Sequence, residues 1–422
     1  MDKFLIQGGT PLIGTMPISG SKNAALPLMA AALLADGPVT INNVPVLHDI
    51  FTFNKVIAET GTQVTYAREE QKLTIDPTGM NSYEAPYDLV RKMRASFYMT
   101  GALLGAAGYA KVSLPGGCAW GPRPVNLHLE GFRALGAEIE MDGGYVIAKA
   151  PNGRLPGGTF TMSPSSVGAT VNLVLAAVRA KGRSVIRNAA MEPDVVNLCE
   201  NLNALGARIS GSGTPVLTID GTDHIRAGAM QNTPDRIETG TFMIAAAMLP
   251  GSDLTLTNTQ EHDLGTFVNT FRKLQTGLEI TDTTIRVRST DRIPPVSIET
   301  AIYPGFPTDL QAQWATMMAL ADGKSTVTDH IYPDRFSYVP ELVRLGGNIE
   351  RKDNTVIIRG RSVLKGASVM STDLRASVSL VMAGLAAQGE TEVLRVYHLD
   401  RGYETLEDKL NAVGARIRRI SE

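Results

Sequence analysis

A short glycine pattern recurs six times along the 422 residues of this chain. In each copy a small or apolar residue precedes the glycine, and residues that alternate as in a β-strand follow it. The intervals are 75, 70, 71, 69 and 68 residues, and the glycines are Gly61, Gly136, Gly206, Gly277, Gly346 and Gly414. A second series, in which an Ala-rich apolar run ends at a glycine, comprises Gly37, Gly108, Gly182, Gly251, Gly323 and Gly389. Two series in step indicate six copies of one supersecondary unit.

The internal structure of one unit can be predicted from the segment around Val185 to Ile219. SVIRNAA predicts a strand, PDVVNLCENLNAL predicts a helix that stops at a glycine, and ARISG and VLTID predict two further strands. Each unit is therefore expected to run strand, helix, strand, strand, helix. The last helix is apolar on nearly every face, as in AALPLMAAALL and TFMIAAAML, which predicts burial among other elements.

The repeat count predicts an α/β protein with two domains of three units each. One unit gives way to the next near QNTPDR, which places the boundary at about Thr233. Repeats of this length can close on themselves or stack in a row, and the pattern alone leaves that choice open.

Composition argues against several classes of function. The 40 basic and 42 acidic residues give a net charge of −2 without a long basic run, so no nucleic-acid partner is expected. The amino terminus does not resemble a secretory signal, and the apolar stretch from Ala24 to Ala35 is too short to span a membrane. The two cysteines, Cys118 and Cys199, lie in different contexts, so neither a disulfide nor a cysteine metal site is expected. We expect a cytoplasmic protein without a membrane partner.

Basic residues stand where the buried helices begin. SGSKNAALP, VRKMRASFY and STDLRASVS place Lys22, Arg94 and Arg375 in or beside first helical turns, where positive charge opposes the helix dipole. Helix amino termini also offer unpaired N–H groups. Several of them brought together would form an anion site, so we predict that these three cations contact an anionic ligand.

Ordinary capping is the competing explanation for the polar residues at helix starts. It accounts for Ser19, Thr308 and Thr372 without any ligand. Asp309 follows a proline and a threonine at another helix start, so a cap and a general base remain equally open for it.

Cys118 lies in SLPGGCAWGPRPVNLH, a stretch whose Pro and Gly residues predict a long loop. A loop thiol beside Arg123 is accessible and lies in a field that favours thiolate, which predicts a reactive group. The alternative is an inert small hydrophobic side chain, although such a loop offers little core. Cys199 belongs to an apolar helical stripe and is expected to be core packing.

Two further arginines end parallel phrases after predicted strands. Arg335 closes YPDR and Arg401 lies in HLDRGYE, a recurrence that surface ion pairs do not need. His128 and His398 are near these loops, but no histidine spacing typical of a metal site occurs, so no metal is expected. The phosphate-binding patterns of kinases and dehydrogenases are also absent in a valid strand-to-helix context.

With these residues assembled, the chain resembles the enolpyruvyl transferases from end to end. The resemblance is carried by SGSKNAALP at 19–27, RASFY at 94–98, LPGGCAWGPRPVNLH at 114–128, SVGAT at 166–170, DRIETGTF at 235–242, FPTDLQAQ at 306–313, TDLRAS at 372–377 and HLDRGYE at 398–404. It implies an inside-out α/β barrel in each of two domains, with six βαβαββ units, helices within and sheets outside. The domains would be residues 22–232, and 233–422 joined by 1–21, with the active site in the cleft between them.

The resemblance also implies substrates and their contacts. The donor would be phosphoenolpyruvate, bound by Lys22, Asn23, Arg123 and Arg401 with help from Arg94 and Arg375. The acceptor would be UDP-N-acetylglucosamine, bound by Arg94, Arg123, Pro124, Val125, Asn126, Leu127, Pro164, Ser165, Ser166, Val167, Asp309 and Ile331. A ring of cations around a trianion is electrostatically favourable.

The implied reaction is addition followed by elimination, without metal or cofactor, at the first committed step of peptidoglycan synthesis. Cys118 would protonate C3 of phosphoenolpyruvate, with covalent addition of its sulfur as a secondary possibility. Asp309 would take the proton of the 3′-hydroxyl, and Asp373 would remove the C3 proton in the elimination. Lys22 and Arg401 complete the expected catalytic set. The antibiotic fosfomycin is expected to alkylate Cys118.

Two positions depart from the pattern of the enolpyruvyl transferases. Many members carry a lysine before SVGAT, where this chain has Ser163, Pro164 and Ser165, and a Glu-Asn pair where it has Pro333 and Asp334. The nearest alternative function is enolpyruvyl transfer to shikimate 3-phosphate, against which the cysteine loop argues. A catalytically inactive paralogue that binds sugar nucleotides is the alternative from another class.

Overall fold

The computed structural model describes residues 2–91, 93–115 and 125–421. The chain divides into two compact units. One, here the N-terminal unit, is Gly20–Thr233; the other, the C-terminal unit, combines Met1–Ser19 with Pro234–Glu422. Each has its own hydrophobic core.

The strands are listed here in chain order. They are β1 Lys3–Gln7, β2 Ile13–Pro17, β3 Val39–Asn42, β4 Gln63–Ala67, β5 Lys72–Asp76, β6 Glu84–Ala85, β7 Tyr109–Ser113, β8 Glu138–Asp142, β9 Tyr145–Lys149, β10 Thr159–Thr161, β11 Arg183–Arg187, β12 Arg208–Ser210, β13 Val216–Asp220, β14 Gly228–Gln231, β15 Asp253–Thr257, β16 Gly277–Ile280, β17 Thr284–Arg288, β18 Ile298–Glu299, β19 Ser325–Thr328, β20 Ile349–Lys352, β21 Thr355–Ile358, β22 Ser368–Met370, β23 Glu390–Leu394 and β24 Ile417–Ile420.

The α-helices are α1 Lys22–Ala31, α2 His48–Ala58, α3 Tyr87–Val90, α4 Tyr98–Ala107, α5 Asn126–Ala134, α6 Val167–Ala177, α7 Pro193–Ala204, α8 Arg236–Met248, α9 Thr266–Arg272, α10 Gln311–Leu320, α11 Tyr338–Arg344, α12 Leu374–Ala386 and α13 Leu406–Ala412. Short 3₁₀ segments include Arg94–Phe97, Thr308–Leu310 and Val396–Arg401.

Six four-stranded sheets share one layout, in which a parallel pair is followed by two antiparallel neighbours. In the N-terminal unit the orders are β14-β3-β5-β4, β6-β7-β9-β8 and β10-β11-β13-β12. In the C-terminal unit they are β2-β15-β17-β16, β18-β19-β21-β20 and β22-β23-β1-β24. The predicted sixfold repeat is therefore confirmed as six equivalent sheets.

In each of the six repeats the sequence pattern failed to predict one strand. The structure adds a short strand that precedes the buried helix and runs parallel to the first strand of a sheet, as β10 does beside β11 and β18 beside β19. These edge strands can be as short as two residues, as in β6 and β18. A segment that short carries no detectable alternation, so its pairing depends on the sheet.

The first residues of the chain complete the C-terminal unit. Strand β1 lies between β23 and β24 and is antiparallel to both, with Phe4 opposite Val393 and Arg419. Strand β2 pairs parallel with β15. The alternating burial of β1, with Phe4 and Ile6 inside, fits a strand that presents one face to a core.

Each unit is built around three helices buried on nearly all sides. They are α1, α4 and α6 in the N-terminal unit, which contact one another, and α8, α10 and α12 in the C-terminal unit, where α10 contacts both α8 and α12. This confirms the prediction made from their all-round apolar faces. None of the helices in the described residues is both long and apolar enough to cross a membrane.

The repeated glycines have a common backbone role with one exception. Gly61, Gly136, Gly206, Gly346 and Gly414 all have φ between +85° and +109°, the left-handed conformation that ends a helix. At the fourth copy Gln275 has φ +57°, and Gly277 begins strand β16 instead. Gly277 is therefore explained by a close contact and not by a helix end, because a Cβ at this position would lie 2.9 Å from the Nε of Arg288.

Candidate active site

The start of α1 holds the first predicted cation. Ser21 caps the helix by accepting from the amide of Ala24, and the side chain of Ser21 also contacts Asp194. Lys22 is the first helical residue, and its Nζ lies 3.0 Å from Oδ2 of the buried Asp49. The carboxylate offsets the unfavourable position of Lys22 at the positive end of the helix dipole. Asn23, the next residue, is exposed.

Lys22 keeps donors that the described residues do not use. Its only hydrogen bond to a described residue is the one to Asp49, and an ammonium group has three N–H donors. The Lys22 side chain is 12% exposed, so the remaining N–H donors have little access to solvent. This arrangement suits an anionic ligand, although the need for a counter-charge is already met by Asp49.

A buried histidine packs behind the starts of α5 and α6. His128 is 4% exposed, and its Nδ1 lies 2.8 Å from Nδ2 of Asn172. Burial, reinforced by the nearby Arg94 guanidinium, lowers the pKa of His128 to about 3. The ring is therefore neutral at physiological pH. Arg94 itself begins the 3₁₀ segment that leads into α4.

Apart from Arg94, the UDP-sugar residues predicted in the N-terminal unit that the structure describes lie at these two helix starts. Val125 precedes α5, and Asn126 and Leu127 are its first residues. Pro164 and Ser165 lead into α6, Ser166 caps it through the amide of Ala169, and Val167 is its first residue. Cys118, Arg123 and Pro124 lie outside the described residues.

The C-terminal unit brings together Asp309, Arg335 and Arg375. Oδ1 of Asp309 lies 2.6 Å from Nη1 of Arg335, and Oδ2 lies 2.8 Å from Nη2 of Arg375. The three side chains are 25%, 13% and 6% exposed. Charge-assisted contacts of this kind in a poorly hydrated place are strong and directional.

The two arginines control the acidity of Asp309. Burial would raise the pKa of this carboxyl, but the positive charges and hydrogen bonds of Arg375 and Arg335 more than offset it and hold the pKa well below its usual range. Asp309 is consequently an anion and a weak base in this arrangement. Loss of either guanidinium partner would make the carboxylate more basic.

A buried polar chain supports Arg375 from behind. Nη1 of Arg375 lies 3.4 Å from the hydroxyl of Tyr403, which lies 2.8 Å from Oγ1 of Thr241. Gln313 donates to Thr241 and to the backbone oxygen of Asp309. These linked hydrogen bonds restrict the orientation of Arg375, although its Nε and Oε1 of Gln313 form no hydrogen bond within the described residues.

The remaining predicted residues of the C-terminal unit flank this cluster in sequence. Asp373 caps α12: its Oδ1 accepts from the amides of Arg375 and Ala376, and its Oδ2 accepts from Ser337. Arg401 ends a 3₁₀ segment after β23. The amide of Ile331 donates to Asp329 in a turn after β19.

The capping explanation was wrong for the three residues to which it was applied. Ser19 hydrogen-bonds Glu404 and Lys409, Thr308 donates to Asp329, and Thr372 donates to Ser337. The caps of α1 and α12 are instead Ser21 and Asp373. A hydroxyl near a helix start satisfies whichever acceptor the fold brings within reach, and here those acceptors are distant in sequence.

Cys199 is confirmed as core packing. It is fully buried in α7, and burial raises the pKa of its thiol to about 12. Within the part of the chain that the structure describes, no cluster of three or more His, Cys, Asp or Glu residues could hold a metal ion.

Sequence analysis missed three residues that support the site. Asp49 occupies the first turn of α2, an ordinary place for an acidic residue, so nothing marked it. Tyr403 lies in HLDRGYE beside a residue that was chosen. Asn172 offered a usable signal, because a polar side chain in the middle of the apolar run TVNLVLAAV requires partners when buried.

The fold is that of solved enolpyruvyl transferases. The enolpyruvyl transferase NikO from Streptomyces tendae matches with a TM-score of 0.90 at 25% sequence identity, over 100% of this chain and 99% of that one. An EPSP synthase from Acinetobacter baumannii matches with a TM-score of 0.78 at 17% identity, over 100% of both chains. The second likeness establishes the fold alone.

The sequence comparisons identify the family. The protein-family sequence model described as EPSP synthase (3-phosphoshikimate 1-carboxyvinyltransferase) matches residues 6–410 of this chain. This chain therefore belongs to the enolpyruvyl transferase family. More particularly, it is 52% identical over 432 residues to UDP-N-acetylglucosamine 1-carboxyvinyltransferase 1 of Mesorhizobium japonicum, over 100% of both chains. It is 50% identical over 420 residues to UDP-N-acetylglucosamine 1-carboxyvinyltransferase of Chloroherpeton thalassium, over 99% of this chain and 97% of that one.

Proposed function

We propose that this protein transfers the enolpyruvyl group of phosphoenolpyruvate to the 3′-hydroxyl of UDP-N-acetylglucosamine and releases phosphate. The observation that carries the proposal is the sequence similarity to relatives named for this activity. The chain is 50% and 52% identical in sequence to two of them over essentially its full length. The reaction would supply the first committed intermediate of peptidoglycan synthesis. We place it in the cytoplasm, to which a free cysteine such as Cys199 is suited.

The donor would be held by cations. Lys22 has spare donors beside Asp49, and Asn23 follows it on the exposed side of the helix start. We assign the phosphate and carboxylate of phosphoenolpyruvate to these two residues together with Arg94, Arg123, Arg375 and Arg401. Such groups stabilise the negative charge of the donor and of the departing phosphate.

The acceptor would be bound at the starts of α5 and α6 and by the C-terminal unit. We assign the UDP-sugar contacts of the N-terminal unit to Arg94, Arg123, Pro124, Val125, Asn126, Leu127, Pro164, Ser165, Ser166 and Val167. Those of the C-terminal unit are assigned to Asp309 and Ile331.

The addition step requires a base and an acid. Asp309 would take the proton of the 3′-hydroxyl as that oxygen bonds to C2, while Cys118 delivers a proton to C3. The product of this step is a tetrahedral ketal that still carries phosphate. Asp309 becomes basic enough when a substrate anion draws away Arg375 or Arg335, since each guanidinium lowers the pKa of the carboxyl.

The elimination step reverses one proton transfer and breaks a different bond. Asp373 would remove a proton from C3, the electron pair would form the C2–C3 double bond, and phosphate would leave C2. One oxygen of Asp373, Oδ2, accepts only from hydroxyl groups and is the oxygen available for this role.

Phosphate release is the decisive measurement. The protein is incubated with phosphoenolpyruvate and either UDP-N-acetylglucosamine or shikimate 3-phosphate. We expect release with the first acceptor and none above background with the second. If no phosphate is released with UDP-N-acetylglucosamine, the assignment is overturned. Phosphate release with shikimate 3-phosphate alone would identify the chain as an enolpyruvyl transferase that uses shikimate 3-phosphate.

A further inference from the structure

The guanidinium of Arg419 donates to three carboxylates. Its Nη2 and Nη1 lie 2.6 and 3.0 Å from the two oxygens of Asp400, a two-pronged contact that suits the planar guanidinium. Nε and Nη2 hold the two oxygens of Glu407 in the same way, at 2.5 and 3.3 Å. Nη1 also donates to Asp2 at 3.3 Å. An arginine has five N–H donors, so these contacts use all of them.

The network joins separate elements of the C-terminal unit. Arg419 lies on β24, the last strand of its sheet, while Asp2 precedes β1 and Glu407 belongs to the first turn of α13. Asp400 lies in the 3₁₀ segment Val396–Arg401. The side chains of Arg419, Asp400 and Glu407 are 25%, 23% and 16% exposed. Isolated surface ion pairs contribute little, but a partly buried network with two-pronged geometry holds its members in place.

This network fixes the residue that precedes Arg401, to which we assign a contact with phosphoenolpyruvate. The two residues that follow Arg401 are fixed by packing. A Cβ on Gly402 would lie 2.4 Å from Cδ2 of Leu374, so the chain passes close to the start of α12. Tyr403 is buried, and its hydroxyl is hydrogen-bonded within the core. The backbone of Arg401 is therefore held on both sides, and Asp400 provides the hold on one of them.

Stabilisation of the sheet edge is the simpler explanation of the network. Under that explanation Asp400 and Glu407 are equivalent, because Arg419 holds each of them by two contacts of similar length. A positioning role makes them different, because only Asp400 belongs to the segment that carries Arg401. The two carboxylates thus provide a matched comparison within one network.

We propose that Arg419 is a positioning residue for Arg401, which it fixes through Asp400, and that it thereby sets the affinity for phosphoenolpyruvate. The identity of the ligand rests on the proposed function. Binding of a small, rigid anion tolerates little displacement of its partner, since a shift of about 1 Å can lower activity by up to about 100-fold. Arg419 acts only through Asp400, because its own donors are all committed to carboxylates.

Three substitutions separate positioning from stabilisation. Asp400→Asn weakens the contact with Arg419 inside the segment that carries Arg401, and Glu407→Gln weakens the matched contact in α13. Arg419→Lys keeps the positive charge, but an ammonium group has three donors and cannot hold a carboxylate by two parallel prongs. Arg418→Lys is the control, because Arg418 is the preceding residue of β24 and its side chain is 72% exposed.

Steady-state phosphate release gives kcat and the KM for each substrate, and thermal unfolding gives the melting temperature. We expect Asp400→Asn and Arg419→Lys to raise the KM for phosphoenolpyruvate about tenfold and to change the KM for UDP-N-acetylglucosamine less than about twofold. Glu407→Gln should lower the melting temperature as Asp400→Asn does, with the KM for phosphoenolpyruvate close to that of wild type. Arg418→Lys should match wild type in every measurement.

Hydrogen exchange tests the positioning without any ligand. The amides of Gly402 and Tyr403 both donate to the backbone oxygen of Leu399 at 2.9 Å, so their exchange reports on the end of the 3₁₀ segment. Mass spectrometry of the peptide that contains them should show faster exchange in Asp400→Asn and an unchanged rate in Glu407→Gln. Unchanged exchange in Asp400→Asn would contradict the proposal, because the segment would then be held without the ion pair.

Two kinetic results would also overturn the proposal. Equal increases of the KM for phosphoenolpyruvate in Asp400→Asn and Glu407→Gln would make the network purely structural. A wild-type KM in Arg419→Lys would show that the two-pronged contact is not needed. If Arg419→Lys does not fold, the comparison of Asp400→Asn with Glu407→Gln decides by itself.

The positioning role and the proposed reaction fail separately. Calorimetry gives the dissociation constant for phosphoenolpyruvate whether or not phosphate is released. Normal phosphate release by wild type, with an unchanged dissociation constant in Asp400→Asn, refutes only the role of Arg419. If wild type binds phosphoenolpyruvate but releases no phosphate, the proposed reaction is refuted, and the dissociation constants of the variants decide the positioning role. If wild type does not bind phosphoenolpyruvate, both are refuted.

Discussion

Asp309 and Arg375 form a partly buried ion pair, with Oδ2 of the aspartate 2.8 Å from Nη2 of the arginine, although 66 residues separate them in sequence. Nη1 of Arg335 donates to the other carboxylate oxygen, Oδ1 of Asp309, at 2.6 Å. The residue proposed as the base for the 3′-hydroxyl is thus held by two cations that lower its basicity. The same cations are available to a substrate anion, so binding and base activation are linked in one cluster.

Replacing Asp309 by asparagine should abolish most of the activity. The amide cannot accept the hydroxyl proton, so we expect kcat to fall by about 100-fold or more. Stability should also decrease, because two guanidinium groups lose their counter-charge. Phosphate release and thermal unfolding measure the two effects. Asp322→Asn, at a weakly paired surface carboxylate, is the control and should behave as wild type in both assays.

The stabilising effect of Asp309 should depend on pH in a defined direction. Burial opposes its ionisation, but the guanidinium groups prevail and its pKa in the folded protein is lowered. A lowered folded pKa stabilises the fold above the unfolded value of about 4, and this contribution disappears as the pH falls through the folded pKa. The difference in free energy of unfolding between wild type and Asp309→Asn should therefore stay level from about pH 7 to about pH 5 and shrink below about pH 4. Urea titrations at each pH would contradict this if the difference already shrank above about pH 5.

Asp49 should act on the donor substrate through Lys22. In Asp49→Asn the ammonium group loses its 3.0 Å carboxylate partner and its fixed orientation. We expect the KM for phosphoenolpyruvate to rise about tenfold, with a smaller change in the KM for UDP-N-acetylglucosamine. Steady-state kinetics with each substrate varied in turn gives both constants. Glu59→Gln, at the exposed end of the same helix, is the control, and an equal loss in that variant would argue against a specific role of Asp49.

The two cysteines should differ sharply in reactivity. Burial raises the pKa of Cys199 to about 12, so its thiol stays protonated and inaccessible near neutrality. Peptide mass spectrometry after fosfomycin treatment should find the adduct on Cys118 and leave Cys199 unmodified. In a denaturant both thiols should react with iodoacetamide. An adduct on Cys199 in the folded protein, or fosfomycin that adds nowhere, would count against Cys118 as the reactive group.

The sequence contained enough information to predict the architecture of each repeat. A period of about seventy residues and helices apolar on all faces are local properties. They correctly predicted six equivalent units and the buried helices. The short edge strands escaped because strands of a few residues gain their stability from pairing, which a local pattern does not encode.

The candidate site was predictable only as a list of residue types. Lys22 and Arg375 stood out because positive charge is unfavourable where helices begin, whereas Asp309 remained open between a cap and a general base. Their partners did not, since Asp49 lies 27 positions from Lys22 and looks like any acidic residue of a first turn. Likewise, no local feature showed that Asn172 would form a hydrogen bond with His128 from 44 positions away.

The sequence by itself thus determined the repeating unit, the burial of its helices, the packing of Cys199 in the core and the family resemblance. Only the tertiary structure decided which carboxylate neutralises which cation, that β1 pairs with β23 and β24, and that Asn172 forms a hydrogen bond with His128. The physical reason is range. Periodicity and burial are written into neighbouring residues, whereas pKa values, tautomers and ion pairs depend on groups that meet only when the chain has folded.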